Sequence, residues 1–106
     1  MMVEAWWTFE IKDAKGKTIH WIEDVLVQAE YSWELIDNER HVQRDNDNLV
    51  FKFKTEEPRP GTARKIYIYN EVPAWLAQQM LPAALADESL TQTLDSNALE
   101  ASYNED

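Results

Sequence analysis

Apolar and polar residues alternate from Trp6 to Lys12, with Trp7, Phe9 and Ile11 on one side and Thr8, Glu10 and Lys12 on the other. A period of two is the mark of a half-buried strand. Asp13-Ala14-Lys15-Gly16-Lys17 reads as a turn, with Gly16 free to take positive φ, and Thr18–Ile22 returns as a second strand. From Val25 to Ile36 two periods compete. As a strand, Val25, Val27, Ala29, Tyr31, Trp33 and Leu35 share a face against Gln28, Glu30, Ser32 and Glu34, with only Leu26 and Ile36 out of place. As a helix, Ile22, Leu26, Ala29, Trp33 and Ile36 form a seam, but Val27, Tyr31 and Leu35 are left on a second apolar stripe. The strand separates the two classes more cleanly, and Val, Tyr and Trp favour it. Strand is the preferred reading.

Asp37-Asn38-Glu39 is a turn, 40–44 a short strand, and Asp45-Asn46-Asp47-Asn48 a hairpin loop, because Asn and Asp accept left-handed backbone and close Asx-turns. Leu49–Lys54 alternates again. A loop with Pro58, Pro60 and Gly61 follows, then a strand at Lys65–Tyr69. Asn70 suits a helix N-cap, with Glu71 at the positive helix end and Pro73 in the first turn. The helix runs to about Leu81 and turns Val72, Trp75, Leu76 and Met80 toward the sheet, which makes Trp75 a core anchor. Pro82 kinks or ends it, and Ala83–Ala86 adds a turn. Leu90, Leu94 and Ala98 recur at a spacing of four, which fits a second helix. The expected fold is α+β: an antiparallel meander of five or six strands, then one or two helices packed on one sheet face. Residues 1–101 form a single domain, and the acidic end at 102–106 frays.

The central stretch resembles the KTSC domain, a small module found alone in bacterial proteins and at the C-terminus of some lysyl-tRNA synthetases. The residues that carry the resemblance are Leu49, Phe51 and Phe53, then Tyr67-Ile68-Tyr69, then Val72-Pro73 opening a helix, and Leu81-Pro82-Ala83. It covers roughly residues 32–86. The loop from Thr55 to Arg64 is longer than the family's tight turn, and Asp87–Leu94 lacks its Ser-Gly-x-Phe-Asn-like segment. The resemblance implies a strand–strand–helix core and a proposed RNA-binding role.

Charge and chemistry narrow the function. Ten Lys and Arg stand against 20 Asp and Glu, a net charge of −10 over 106 residues. All 10 basic residues lie in 1–65, and 66–106 holds seven acids with no Lys or Arg. Such a field repels polyanions and acidic membranes and attracts basic partners. With no Cys, disulfides and thiolate metal sites are excluded. Asp45–Asn48 begins like a calcium loop, but Gly at the sixth position and Glu at the twelfth are missing. His20 and His41 stand without partners at catalytic spacing, and no Gly-rich phosphate loop is present. No cofactor or metal is expected, and neither is an enzymatic activity. Met1-Met2-Val3-Glu4 carries no basic n-region and no long apolar run, so no signal peptide is expected, and nothing approaches the roughly 18 apolar residues of a membrane span. The expected compartment is the cytoplasm.

Two binding surfaces remain. The favoured one serves a basic protein: Trp6 as an aromatic anchor, and Asp87, Glu88, Asp95 and Glu100 as solvated acids that present charge where phosphates would sit. The alternative serves single-stranded RNA or other nucleic acid: Lys52, Lys54, Lys65, Tyr67 and Tyr69 share a strand face, with cations for phosphate and rings for stacking. Open sheet edges also allow homodimerisation by strand addition.

Overall fold

The computed structural model describes residues 1–105. Five strands precede two helices: β1 (Met2–Lys12), β2 (Thr18–Ile36), β3 (Glu39–Arg44), β4 (Val50–Pro58), β5 (Lys65–Glu71), α1 (Ala74–Ala86) and α2 (Glu88–Ser102). The sheet is antiparallel, in the order β1-β2-β4-β5, with β3 also paired to β2. This is the α+β arrangement that the alternation implies.

One long strand, β2, organises the sheet. The strand reading of Val25–Ile36 holds, and the two segments expected on either side of Glu23-Asp24 are one strand. A bulge joins them. Trp7 faces Val25 and Phe9 faces Ile22, so Glu23 and Asp24 together oppose Thr8. Asp24 takes the left-handed conformation, with φ 56°. The extra residue lets Ile22 stay on the same face as Val25 despite an odd spacing. Asp tolerates this backbone and a β-branched residue does not. Asp24→Val is therefore expected to lower stability by about 1–2 kcal/mol, read as a lower urea midpoint with an unchanged slope.

The turns follow their residues. Asp37 and Asn38 both take positive φ, at 52° and 67°, and close a two-residue connection between β2 and β3. Asp13 Oδ1 accepts from the backbone N–H groups of Lys15 and Lys17, and Gly16 has φ 81°. Asp45–Asn48 is not a hairpin loop, because β3 and β4 do not pair with each other. Adjacent carbonyls on a strand point to opposite edges. Tyr31 exchanges backbone hydrogen bonds with Met1 on the β1 side, while the Glu30 carbonyl accepts from Asp45 N–H on the other. So β3 and β4 line one edge of β2 in tandem. Between them Asp45 accepts from Ser32 Oγ, Asn46 Oδ1 from Asn48 N–H, and Asp47 pairs with Arg44 at 3.0 Å.

The core lies between one sheet face and both helices. The sheet contributes Val3, Ala5, Trp7, Phe9, Val25, Val27, Ala29, Tyr31 and Phe51. Leu76, Met80 and Ala84 face it from α1, and Leu90, Leu94 and Ala98 from α2. Each helix thus buries an i, i+4, i+8 stripe. Trp75 is not among these residues and is 63% exposed. The reason is where the helix starts. Asn70 and Glu71 remain in the ladder, opposite Phe53 and Lys52, and the helix opens at Ala74 with Pro73 as its N-cap. At 100° per residue, Trp75 then lies about 140° from the centre of the Leu76–Met80–Ala84 stripe. Pro82 does not end α1. It is exposed and would bond to Gln78, whose carbonyl lies on an exposed turn where water can take the missing N–H's place.

The two hairpins extend past this core. β2 and β4 share only the pairs from Val25↔Phe53 to Gln28↔Val50. Beyond Val25, β2 pairs with β1 alone, and beyond Phe53, β4 pairs with β5 alone. The result is a broad, flat molecule of 49 × 47 × 20 Å with a radius of gyration of 16.5 Å, against about 13 Å for a compact domain of this length.

Candidate binding surface

The helices cover one sheet face and leave the other open. Side chains on the open face come from the even positions of β1, from Leu26 and Gln28 of β2, from Lys52 and Lys54 of β4, and from the odd positions of β5. The registers Trp6↔Leu26, Leu26↔Lys52 and Lys52↔Glu71 run straight across it. Leu26 is buried in the middle, on the face opposite the core. What buries it is an aromatic cluster. The Trp6 and Tyr69 rings approach to 6.1 Å between centroids although they start from opposite edge strands. Lys54 Nζ sits 4.1 Å from the Tyr67 ring centroid and 5.7 Å from that of Trp6. Cation–π attraction holds the ammonium between the rings.

The rings still present surface outward: Trp6 is 51% exposed, Tyr67 52% and Tyr69 42%. A recess of about 570 Å³ adjoins them, lined by Glu4, Trp6, Leu26, Gln28 and Tyr69 and reaching Thr93 and Asn97 of α2. Gln28 Nε2 donates to Glu4 Oε1 at 2.7 Å along one wall. Carboxylates rim the cluster. Glu71 lies across from Lys52, and Glu56 pairs with Lys65 at 3.4 Å between two exposed side chains.

The structure therefore brings Lys52, Lys54, Lys65, Tyr67 and Tyr69 onto one face, as the strand alternation implies. It adds Trp6 and buried Leu26, which the alternation left separate. Leu26 carried a signal: an apolar residue on an otherwise polar strand face marks a second, smaller apolar cluster.

The acids of α2 divide into two kinds. Asp87 is not a solvated charge. It is the N-cap of α2, where Oδ1 accepts from Leu90 N–H at 3.1 Å and Oδ2 from Trp7 Nε1 at 2.9 Å. Asp95 accepts from the Tyr31 hydroxyl at 2.5 Å. Burial, reinforced by this bond to a carboxylate, holds the Tyr31 phenol far above its usual range. Glu88 and Glu100 point to solvent. Trp6 and Asp87 line one shallow recess where α2 reaches the β1 edge, with Thr8, Asp24 and Ser89 between them.

A third cluster fastens residues 102–105; Asp106, the last residue of the segment expected to fray, lies outside the described residues. The Arg40 guanidinium stacks 4.4 Å from the Trp33 ring and 4.6 Å from that of Tyr103, and donates to the Ser102 carbonyl. Trp33 Nε1 donates to Glu105 at 2.8 Å. Sequence reasoning missed this cluster because it joins Arg40 and Trp33 to residues 62 and 72 positions away.

Among the described residues no helix is long and apolar enough to cross a membrane. No family model, no curated protein and no solved structure matches the chain, so the likeness to KTSC domains rests on the quoted motifs alone.

Proposed function

We propose that the protein is a small non-enzymatic interaction domain that binds another protein of basic character. The observation that supports this reading is the open sheet face. Trp6 and Tyr69 stand half-exposed beside buried Leu26, Tyr67 lies further along the same face, and Glu4, Glu56 and Glu71 are around them. Trp and Tyr are the usual anchors of protein interfaces. A partner's Arg or Lys can stack on the rings and reach the rim carboxylates, and the net charge of −10 draws such a partner in. Display of phosphate-like charge on α2 would fall to Glu88 and Glu100, since Asp87 and Asp95 are engaged inside the fold.

A second reading has its own support. Lys54 between Trp6 and Tyr67 is a combination that single-stranded nucleic acid can use. It is the weaker reading, because Lys65 is paired to Glu56 and the overall field repels phosphate.

Capture from a cell extract at low salt, by the wild type and by Trp6→Ala/Tyr69→Ala, tests both. The variant uncovers Leu26 and is expected to melt somewhat below the wild type while keeping its circular dichroism, and to lose the captured protein. Equal capture by the two proteins would remove the open face from the interface. Retention of mixed-sequence single-stranded RNA that falls with added salt and is lost in Lys54→Ala would move the reading to nucleic acid.

A further inference from the structure

We propose that β5 is a self-pairing edge, on which a second copy of this chain adds antiparallel about a twofold axis at Ile68. The inference does not depend on the partner reading above, because its readout is the mass of the purified chain alone.

Three strands pair on one side only, β1, β3 and β5. Of these, β1 is guarded, β3 is the six-residue strand Glu39–Arg44, and β5 is the open edge. Asn97 of α2 donates to the outward Glu4 carbonyl at 2.8 Å, and the register of β1 shifts twice. β5 runs seven residues without a break in register. Val72 N–H donates inward to the Phe51 carbonyl, so the even residues of β5 turn their backbone groups to β4. Lys65, Tyr67, Tyr69 and Glu71 therefore turn theirs outward. No hydrogen bond from another described residue reaches them there. Neither proline nor a bulge blunts this edge, and its two charges, Lys65 and Glu71, are of opposite sign and so do not repel a second copy.

The sequence of β5 complements itself when reversed. In an antiparallel pair centred on Ile68, Lys65 lies opposite Glu71 of the second copy and Glu71 opposite its Lys65. Tyr67 lies opposite Tyr69 of the second copy, and Ile68 meets Ile68. The pairs Lys65–Glu71 and Tyr67–Tyr69 join the outward-facing backbone positions, so each can exchange both of its N–H···O bonds. Ile68 falls at a non-bonded position, where opposing side chains come closest. A shift of two residues either way breaks both Lys–Glu pairs and sets a Tyr on the axis. Isologous contacts of this kind close at two chains.

The surface area points the same way. The chain exposes 7616 Å², whereas a monomer of 12.4 kDa is expected to expose about 6,100 Å². The excess is larger than the roughly 800 Å² that one partner contributes to a standard interface. Pairing at β5 would also join the two open faces, bringing Tyr67 and Tyr69 of one copy beside those of the other. The Lys65–Glu56 contact in the single chain is between exposed groups and can be shared with Glu71 of the second copy.

The test is mass by light scattering across a concentration series at physiological salt, on the full chain. The wild type is expected to approach twice the 12.4 kDa of one chain. Lys65→Glu sets like charges opposite each other in both outer pairs, and so does Glu71→Lys. Each variant is expected to raise the dimer dissociation constant by about tenfold or more, with circular dichroism unchanged. Mixed together, the two variants restore both opposite-charge pairs, so their mixture is expected to return to the dimer mass. A wild type that stays at one chain into the hundreds of micromolar overturns the proposal. So does a dimer that Lys65→Glu leaves intact, which would place the contact at another edge, and so does a mixture of folded variants that remains monomeric.

Discussion

Trp7→Ala is expected to lower the unfolding free energy by about 3–5 kcal/mol, while Trp75→Ala stays within about 0.5 kcal/mol of the wild type. Both are Trp-to-Ala changes, one in the sheet and one in a helix that covers it, and their surroundings differ. The Trp7 ring is 9% exposed. It packs against Phe9 and Phe51 at centroid distances of 5.5 and 5.8 Å. Its Nε1 donates to Asp87, so its loss leaves a cavity and takes a donor from the residue that caps α2. One substitution thus loosens the sheet core and the entry of a helix together. Trp75 has most of its ring in water, and truncation there creates no cavity. Urea melts of the two variants decide the point. Equal midpoint shifts would mean that α1 is rotated from the phase described above. Asp87→Ala extends the argument: loss of an N-cap costs about 1 kcal/mol, and here the Trp7 indole N–H loses its acceptor as well.

Trp75 shows why some of the fold was legible in the sequence and some was not. The strands declared themselves through alternation, and the two helices through i, i+4 apolar positions. The face that α1 presents depends on where it begins. Asn70 and Glu71 look like an N-cap and a first-turn acid, but they also extend the alternation of Lys65–Tyr69, and pairing with Phe53 and Lys52 prevails. A start moved by a few residues turns a helix far enough to exchange an inner side chain for an outer one. The bulge at Asp24 is the same kind of event in a strand: one extra residue reverses the facing, and nothing local to Glu23-Asp24 marks it except an Asp able to take positive φ. The open face was half legible. Alternation put Lys52, Lys54, Tyr67 and Tyr69 together, because they are local to one hairpin. Their meeting with Trp6 depends on the order β1-β2-β4-β5, which is a long-range property. The acids of α2 were legible as charge but not as partners. Asp87 and Asp95 bond to Trp7 and Tyr31, residues 80 and 64 positions away.

Asp95→Ala is expected to cost more than Tyr31→Phe, although both remove the same hydrogen bond. The Tyr31 side chain is fully buried, while Asp95 lies on the exposed side of α2. Take away the phenol hydroxyl, and water can serve the carboxylate in its place, so the loss is about 0.5–1.5 kcal/mol. Removing the carboxylate strands the hydroxyl of a fully buried side chain, which costs about 1–3 kcal/mol. It follows that Tyr31→Phe/Asp95→Ala should be more stable than Asp95→Ala alone, because the second change removes the orphaned group. A double variant less stable than both singles would mean that the hydroxyl has another partner. The same residue sets a response to alkali. Burial, then the bond to Asp95, raises the folded-state phenol above its unfolded value of about 10. Above that pH the unfolded chain releases the proton while the folded chain keeps it. The unfolded state then binds fewer protons, and stability falls as pH rises, by up to about 1.4 kcal/mol per unit. Below pH 10 both states hold the proton and the contribution is complete. Urea midpoints from neutral to alkaline pH should decline in the wild type and less in Tyr31→Phe, which has no proton to lose. Parallel declines would assign the alkaline loss to the lysines and the other tyrosines instead.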